Sequence, residues 1–392
     1  MRVLCALILL LLTTVAHAAR LELTGFESGD TSECQTQTGT FSVQSTTVYS
    51  GTYAFQANPT GTAIGSCTLT TINASGASVN GGGTIPLYVT FRWRAGTLPA
   101  SGSEEIFAAL ALSASDKMFL RVTSAGKLQV YSSVNAQMGS DGTTTLVVDT
   151  WYLLQVKVGH GSPAPYEVRV NGAVELSGTG NLNAANGHSQ RVFGKATNRS
   201  GNTVNFYYDD IAVDDTDYPP GGPIVALHPD ANGSTMQWAN GTGASNYTQV
   251  NEVVPSTTEY VQSVAQNDVA LFHFGALPGT VGLPIAAVKV TQRVAENTSG
   301  STTYTVRIRS GATNSDSTAA DLGNTAYVTR QRLLGLDPAT AAAWTVAGVN
   351  AVEAGATDAS GIIRIRLAWL ALMVEATTVT VTPTGRARLS VY

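Results

Sequence analysis

The carboxylates of this chain are few, and their spacing limits the chemistry that they could perform. Hydrolysis of a glycosidic bond needs two carboxyl groups about 5–10 Å apart, which alternate residues of one strand can supply because they point to the same side. The acidic pairs of the chain are adjacent residues instead: Glu104-Glu105, Asp209-Asp210 and Asp214-Asp215. Adjacent strand residues point to opposite faces, so we expect Glu104 and Glu105 to point apart and to be solvated.

The other residue types that carry chemistry also lack the spacing of a reactive site. No Gly-x-Ser-x-Gly motif is present, so the strand-turn-helix position of a nucleophilic serine is missing. No phosphate-binding loop or dinucleotide motif occurs either. The histidines after residue 18 are scattered, with no second His or Cys at zinc-ligand spacing: His160, His188, His228 and His273. These observations predict a protein that is not an enzyme, with a polysaccharide-active enzyme without a recognisable motif as an alternative.

The first 18 residues have the pattern of a secretory signal peptide. Arg2 precedes an apolar run from Val3 to Leu12, and Ala16-His17-Ala18 fits a small-residue cleavage site. The apolar run is short for a membrane span, which needs about 20 residues; an uncleaved membrane anchor is the alternative. We therefore expect a secreted or cell-surface protein, cut after Ala18, that has no membrane span once the signal is removed.

Two cysteines, Cys34 and Cys67, remain after the predicted cleavage. An even number of cysteines in an exported chain favours one disulfide. Closing this loop would stabilise the folded chain by roughly 3–4 kcal/mol on the chain-entropy account. Two unpaired buried thiols are the alternative.

The composition favours strands and turns over helices. Only 12% of the 392 residues are charged, and 39 are glycine, whereas soluble domains average about 25% charged residues. Surface helices need Glu, Lys and Arg, while Gly, Ser and Thr suit short strands joined by turns. The formal net charge of −5 supplies no basic field, so we exclude nucleic acid as a partner.

The segment 219–223, Pro-Pro-Gly-Gly-Pro, predicts a linker, because it can continue neither a helix nor a central strand. It separates a domain at 19–218 from a domain at 224–392. In both, apolar and polar residues alternate as in half-buried strands; Leu87 to Arg94 is one example. The sequence therefore predicts an all-β chain of two tandem β-sandwich (jelly-roll) domains. One short helix is expected in the second domain, with Thr345 or a neighbouring residue as its cap, Val346, Val349 and Val352 on one face and Gly355 as its end.

Two resemblances to known families follow from particular segments. Gly25 to Asp30, Asp149 to Gly172 and Phe206 to Val213 resemble segments of concanavalin A-like lectin and laminin-G-like domains. This resemblance covers about residues 20–218 and implies a sandwich fold, which does not by itself settle function. In the second domain, Asp337 to Gly355 resembles a module of uncharacterised phage-type surface proteins.

The resemblance to carbohydrate-binding jelly rolls implies a structural calcium ion near the two ends of the first domain. Glu27 in the opening segment and Asp210 in the closing strand match the positions that supply oxygen ligands, and Asp209 and Asp30 could assist. Calcium takes six to eight hard oxygen ligands. The alternative is that these carboxylates cap turns and accept hydrogen bonds from nearby backbone.

The same resemblance implies that aromatic side chains form a surface for sugars, whose apolar faces stack on rings. Tyr88, Trp151 and Tyr207 are the predicted ligand-binding residues, with Trp238 and Tyr247 as further candidates in the second domain. Packing between strands or between domains is the alternative for each of them.

Together these features predict an exported, non-enzymatic surface protein that binds a glycan or another surface polymer. The alternative is a structural subunit of a virion appendage or of an extracellular filament. Low charge and β-rich surfaces would suit such self-association through strand edges.

Overall fold

The computed structural model describes most of the chain after residue 19. The described residues are 20–70, 86–110, 116–132, 134–159, 163–182, 190–197, 201–240, 245–279, 284–323, 325–360 and 364–377. The predicted signal peptide at 1–18 lies outside them. Within these ranges, no helix is long and apolar enough to cross a membrane.

The described residues up to 214 form two antiparallel sheets. Sheet A has the strand order β13-β12-β11-β6-β15-β4-β3, with β1 beside β15, and sheet B has the order β10-β9-β8-β7-β14-β5-β2. The strands are β1 (Arg20–Thr24), β2 (Thr36–Gly39), β3 (Phe41–Gln44), β4 (Ala54–Ala57), β5 (Gly65–Thr70), β6 (Leu87–Thr97), β7 (Ser103–Leu110), β8 (Asp116–Thr123), β9 (Leu128–Ser132), β10 (Gln137–Met138), β11 (Tyr152–Val158), β12 (Ala164–Val170), β13 (Ala173–Gly180), β14 (Gln190–Lys195) and β15 (Asn205–Asp214).

The alternation along β6 sets the two surfaces of sheet A. Its apolar residues are buried between the sheets, where Trp93 packs against Phe206 of β15 with ring centroids 5.5 Å apart. The hydroxyl of Tyr208 donates a hydrogen bond of 2.9 Å to the carbonyl of Ile106 in β7, which joins the two sheets. Arg94, next to Trp93, therefore lies on the outer surface of sheet A.

The described residues from 224 onward form a second sandwich, which confirms the predicted tandem architecture. Sheet C has the order β18-β19-β27-β21-β25, with β16 beside β27, and sheet D has the order β17-β20-β26-β22-β23, with β24 beside β22. The strands are β16 (Ile224–Leu227), β17 (Pro229–Met236), β18 (Ala239–Asn240), β19 (Val261–Gln262), β20 (Val269–Phe274), β21 (Ile285–Glu296), β22 (Thr303–Ser310), β23 (Thr313–Asp316), β24 (Ala320–Asp321), β25 (Val328–Leu334), β26 (Glu353–Ser360) and β27 (Ile365–Ala376).

The predicted short helix is present as α1 (Val346–Asn350). The side chain of Thr345 accepts a hydrogen bond of 3.0 Å from the backbone amide of Gly348, as an N-cap does. The expected end of the helix is wrong: Gly355 lies inside β26, where its backbone faces that of Ala270 too closely for a side chain. Two 3₁₀ turns, Thr31–Glu33 and Asn246–Gln249, complete the helical elements of the described residues.

The predicted disulfide joins Cys34 and Cys67, with Cα atoms 5.5 Å apart. It links the segment after the first 3₁₀ turn to β5 of sheet B. Both cysteines lie in the core of the first sandwich.

The two sandwiches pack against each other along a surface that we call the seam. Its apolar part is Leu23 and Ala212 from the first sandwich against Ile224, Ala287, Trp369, Ala371 and Met373 from the second. Strand β27 is consequently buried on both faces, in the second core and in the seam. A continuous apolar run in the sequence is typical of such a strand, and Leu367–Val374 is such a run.

The seam also contains fully buried charges. Lys289 of β21 lies with its ammonium 3.4 Å from the carboxylate of Glu22 and 3.9 Å from that of Glu33. Arg20 of β1 pairs with Glu375 of β27 at 3.0 Å. Buried charges need such partners, because the loss of hydration is otherwise uncompensated.

The expectation that Glu104 and Glu105 are solvated is wrong. Both side chains are buried. Glu104 pairs with the buried ammonium of Lys195 at 3.0 Å, while Glu105 accepts hydrogen bonds from Arg121 and from Thr197. The two carboxylates therefore have different partners, and both are buried.

Candidate functional site

The outer surface of sheet A carries a row of polar and aromatic side chains. The strand register places Ser42 of β3 beside Gln56 of β4, Gln56 beside Tyr207 of β15, and Tyr207 beside Arg94 of β6. These four residues point away from the core because their neighbours along each strand point into it. Asn205, two residues before Tyr207 on β15, and Trp151, which directly precedes β11, belong to the same surface. We call Gln56, Arg94, Trp151, Asn205 and Tyr207 the platform.

Side-chain hydrogen bonds hold the Tyr207 ring in place. Its hydroxyl accepts hydrogen bonds from the amides of Asn205 (3.0 Å) and Gln56 (3.2 Å). The Gln56 side chain also donates to the side-chain oxygen (Oδ1) of Asn205 at 2.9 Å. The Ser42 hydroxyl donates to the side-chain oxygen (Oε1) of Gln56 at 3.1 Å. The guanidinium carbon of Arg94 lies 5.2 Å from the ring centroid. The ring is thus fixed and half-buried before any ligand arrives.

Trp151 reaches the same end of the sheet from β11. It directly precedes Tyr152, which pairs with Trp93 of β6. Because the two strands are antiparallel, Trp151 lies level with Arg94. Arg94 forms an ion pair of 2.8 Å with Asp149 in the turn before Trp151. The Trp151 ring packs edge to face on Tyr49, with centroids 5.9 Å apart. Rings, amides and a guanidinium are the groups that meet the faces, hydroxyls and carboxylates of sugars.

Tyr88 is not part of this cluster. It lies six residues from Arg94 along β6, about 20 Å at the rise of a strand. Its ring packs edge to face on Tyr218, with centroids 5.0 Å apart, and lies 5.4 Å from the ammonium of Lys157. The structure therefore brings Tyr207 and Trp151 to one end of sheet A and leaves Tyr88 at the other.

The predicted linker runs between these two ends. The Pro219 carbonyl accepts hydrogen bonds from Thr90 (3.0 Å) and Gln155 (3.3 Å), and the Gly221 carbonyl accepts one from Arg92 (2.9 Å). Residues 219–222 therefore form a strap that is packed on the outer surface of sheet A.

The predicted metal ligands Glu27, Asp209 and Asp210 gather around the turn at 49–53. The Glu27 carboxylate accepts hydrogen bonds from the backbone amides of Thr52 and Tyr53, and Asp209 accepts from those of Tyr49 and Ser50. One Asp210 oxygen accepts from the Ser50 hydroxyl (2.7 Å) and from the backbone amide of Ile224 (2.8 Å). Asp30 instead caps the first 3₁₀ turn through Ser32.

Burial changes the protonation of these carboxyl groups. It raises the pKa of Glu27 to about 8, against the effect of the backbone hydrogen bonds. Burial also raises the pKa of Asp210 to about 7 and that of Asp209 well above its ordinary value, the latter with the help of the neighbouring Asp210. A carboxyl group in this environment favours its neutral form.

The arrangement of these carboxyl groups matches turn capping better than metal ligation. The second oxygen of Asp210 is buried without a hydrogen-bond partner, which leaves one oxygen for a cation. In the ranges that the structure describes, however, no three His, Cys, Asp or Glu side chains are arranged to hold a metal ion. In this arrangement the carboxyl groups act as turn caps, and calcium binding stays a prediction.

The fold and the platform define a class of protein: an all-β chain of two sandwiches with a polar, aromatic surface on one sheet. No protein-family model and no curated protein matches this chain. The resemblance of the second half to phage-type surface proteins stays a prediction.

Solved structures of similar fold are β-sandwich proteins. The chain is similar to a cellulose-induced protein, Cip1, with 16% identity over 50% of this chain and 97% of that one, at a TM-score of 0.37. It is also similar to an endo-β-1,4-glucuronan lyase from the fungus Trichoderma reesei, with 16% identity over 50% and 96% of the two chains and a TM-score of 0.38. A third similar structure is a mutant Trypanosoma rangeli sialidase that displays trans-sialidase activity. It shares 10% identity over 46% of this chain and 28% of the sialidase chain, at a TM-score of 0.34.

The prediction that the chain is not an enzyme is wrong in the light of these structures. A glucuronan lyase and a sialidase are among the solved structures to which the chain is similar. At these identities and TM-scores, the similarity assigns no activity to the platform.

Proposed function

We propose that the chain is an extracellular glycan-binding protein that holds a saccharide on the platform. The observation that carries the proposal is the fixed, half-buried ring of Tyr207, held by two amides and flanked by a guanidinium. An aromatic ring on the outer surface of a sheet contributes nothing to the core beneath it. It does offer an apolar face to the carbon–hydrogen face of a pyranose.

Preorganisation supports the same function. The hydrogen bonds among Gln56, Asn205 and Tyr207 fix side chains that would otherwise lose rotamer freedom on binding. Rigid groups increase affinity mainly by lowering that cost. The amides retain further donor and acceptor capacity for sugar hydroxyls.

The disulfide supports an extracellular location. Structural disulfides form and persist in oxidising compartments, and the Cys34–Cys67 bond lies in the core of the first sandwich. Secretion through the N-terminal signal remains part of the proposal.

A glycan array probed with residues 19–392 tests the proposal. We expect binding to at least one saccharide class, and a loss of tenfold or more in affinity for Tyr207→Ala. Tyr207→Phe keeps the ring and loses the hydroxyl that orients it, so a smaller loss is expected. The control is Tyr131→Ala, because Tyr131 is a half-buried tyrosine of sheet B with an arginine over its ring. A silent array, or equal losses for Tyr131→Ala and Tyr207→Ala, would contradict the proposal.

A further inference from the structure

The second sandwich contains a cavity at one edge of sheet C, remote in sequence from the platform. Its volume is about 310 Å³. Strands β18 and β19, the residues that flank β19 and the residue that precedes β27 supply its polar lining: Asn240, Tyr260, Gln262, Ser263 and Arg364. Ligand pockets typically measure roughly 300–1,000 Å³, so this cavity suits one small ligand and not a long segment of polymer.

The lining has one charge and it is positive. Arg364 is the charged member of the lining, which otherwise offers two amides, one hydroxyl and one aromatic ring. The backbone of Arg364 is fixed by Asn297, which accepts from the Arg364 amide at 3.1 Å and donates to its carbonyl at 2.9 Å. The Arg364 side chain lines the cavity, and a guanidinium can pair with a carboxylate through two parallel hydrogen bonds.

Neighbouring side chains hold the lining residues in place. Arg366 donates a hydrogen bond of 3.2 Å to the side-chain oxygen (Oε1) of Gln262. The guanidinium carbon of Arg366 lies 4.6 Å from the Tyr260 ring centroid. Asp358, which is buried, accepts a hydrogen bond of 2.6 Å from the Ser263 hydroxyl. Tyr260, Gln262 and Ser263 are thus oriented by contacts within the second sandwich, as expected of a built site.

We propose that this cavity binds an acidic monosaccharide unit, a single sugar ring that carries a carboxylate. The guanidinium of Arg364 pairs with the carboxylate, Tyr260 contacts the ring, and Asn240 and Gln262 bond the hydroxyls. A neutral sugar lacks the carboxylate that would pair with the guanidinium and binds more weakly. The site is separate from the platform, so the chain has two saccharide sites of different character.

Calorimetric titration of residues 19–392 with methyl β-D-glucuronide tests this proposal. We expect saturation with a Kd of about 1 mM or lower, the range of a weak single-ring site. Methyl β-D-glucoside should bind at least tenfold more weakly, because it lacks the carboxylate. Sodium acetate should also bind at least tenfold more weakly, because it lacks the ring.

Variants assign the binding to the cavity. Arg364→Gln should lower the glucuronide affinity at least tenfold, and Tyr260→Ala at least threefold, while Tyr260→Phe keeps most of the affinity. Arg330→Gln is the control, because Arg330 lies on β25 at the opposite edge of sheet C. Thermal unfolding checks that each variant is folded; if Arg364→Gln is not, Gln262→Ala takes its place with the same expectation.

Several results would overturn the proposal. These are no saturation at about 20 mM glucuronide, equal affinity for the glucoside or for acetate, and unchanged affinity in the cavity variants. Tyr207→Ala should leave glucuronide binding to the cavity unchanged, so failure at this site and failure of the platform are distinguishable.

Discussion

Two regions of the molecule, the platform on the outer surface of sheet A and the seam between the sandwiches, differ in what burial does to their polar groups. At the platform, Gln56, Asn205 and Tyr207 bond one another and stay half exposed. At the seam, Glu22 and Lys289 are fully buried and pair across the two sandwiches. The second sandwich covers the polar groups of the seam, while those of the platform stay half exposed, so the two regions have different roles.

The strand β15 passes from one region to the other. Tyr207 faces the platform, while two and three residues further on Asp209 and Asp210 are buried at the turn beside the seam. The register with β6 shifts between Asp209 and Ala212, and Asp210 takes a φ of 47° in the left-handed region. This bulge redirects the chain, as β-bulges do. Polar groups on the covered side maintain the domain packing, and those on the open side remain available to a ligand.

The largest effect is expected at the seam. Lys289→Met removes the charge and keeps the length of the side chain, which leaves Glu22 and Glu33 buried without their cation. The free energy of unfolding should fall by about 3–5 kcal/mol, the usual cost of breaking a buried pair from one side. Urea unfolding measures this change.

The control for this variant is Lys157→Met on the open side of sheet A. Surface substitutions of this kind usually change stability by less than about 0.5 kcal/mol. A loss below about 1 kcal/mol for Lys289→Met would remove the distinction between the seam and the open surface.

The second prediction concerns pH and the buried carboxyl groups. Burial raises the pKa of Glu27 to about 8 in the folded protein, from a value near 4.5. The folded state therefore binds more protons than the unfolded state in this window, so stability is fully present below about pH 4.5 and falls as pH rises towards 8. We expect the free energy of unfolding to fall by on the order of 2 kcal/mol between pH 5 and pH 8. In Glu27→Gln this fall should be smaller. Asp149→Asn, at an exposed position beside the platform, is the control and should leave this pH dependence unchanged. Equal unfolding curves of the wild type at both pH values would contradict the account.

Calcium provides a separate test at the same carboxyl groups. If Glu27, Asp209 and Asp210 rearrange to bind the ion, calcium chloride at pH 8 should raise the melting temperature, and Asp210→Asn should abolish the rise. No heat of binding in calorimetry and no change in melting temperature would reject calcium and leave these residues as turn caps.

A smaller effect is expected for the residues that orient the platform. Gln56→Ala removes one hydrogen bond to the Tyr207 hydroxyl and one to Asn205. Saccharide affinity should fall about two- to fivefold, with a change in unfolding free energy below about 1 kcal/mol. Affinity and urea unfolding measured on the same preparations check both parts. A stability loss without an affinity loss would indicate a structural role for Gln56.

Much of the fold could be predicted from local patterns. The alternation along β6 and the Thr345 cap of the short helix follow from residue type and short-range spacing. The Cys34–Cys67 pairing follows from the even number of cysteines in a chain expected to be exported. The gathering of Glu27 and Asp209 was implied by the family resemblance alone. Gly355 was misread as the end of a helix because glycine also suits close strand packing, which depends on a neighbouring strand.

Contacts between distant segments could not be predicted in this way. Glu22 and Lys289 are 267 positions apart, and their pairing depends on how the sandwiches dock. Gln262 of the cavity is held by a hydrogen bond from Arg366, 104 positions further on. Glu104 seemed a surface residue because Lys195, its buried partner, comes from another strand. The continuous apolar run of β27 was the one local sign that a second covering layer exists.

The most direct test of the account compares wild type, Tyr207→Ala and Lys289→Met in two measurements on the same samples. These are the affinity for the strongest glycan of the array and the free energy of unfolding in urea. The account predicts that Tyr207→Ala loses tenfold or more in affinity with its stability within about 1 kcal/mol of wild type, while folded Lys289→Met keeps its affinity and loses stability. Unchanged affinity in Tyr207→Ala, or the absence of any bound glycan, would contradict the central claim that the platform is a saccharide site.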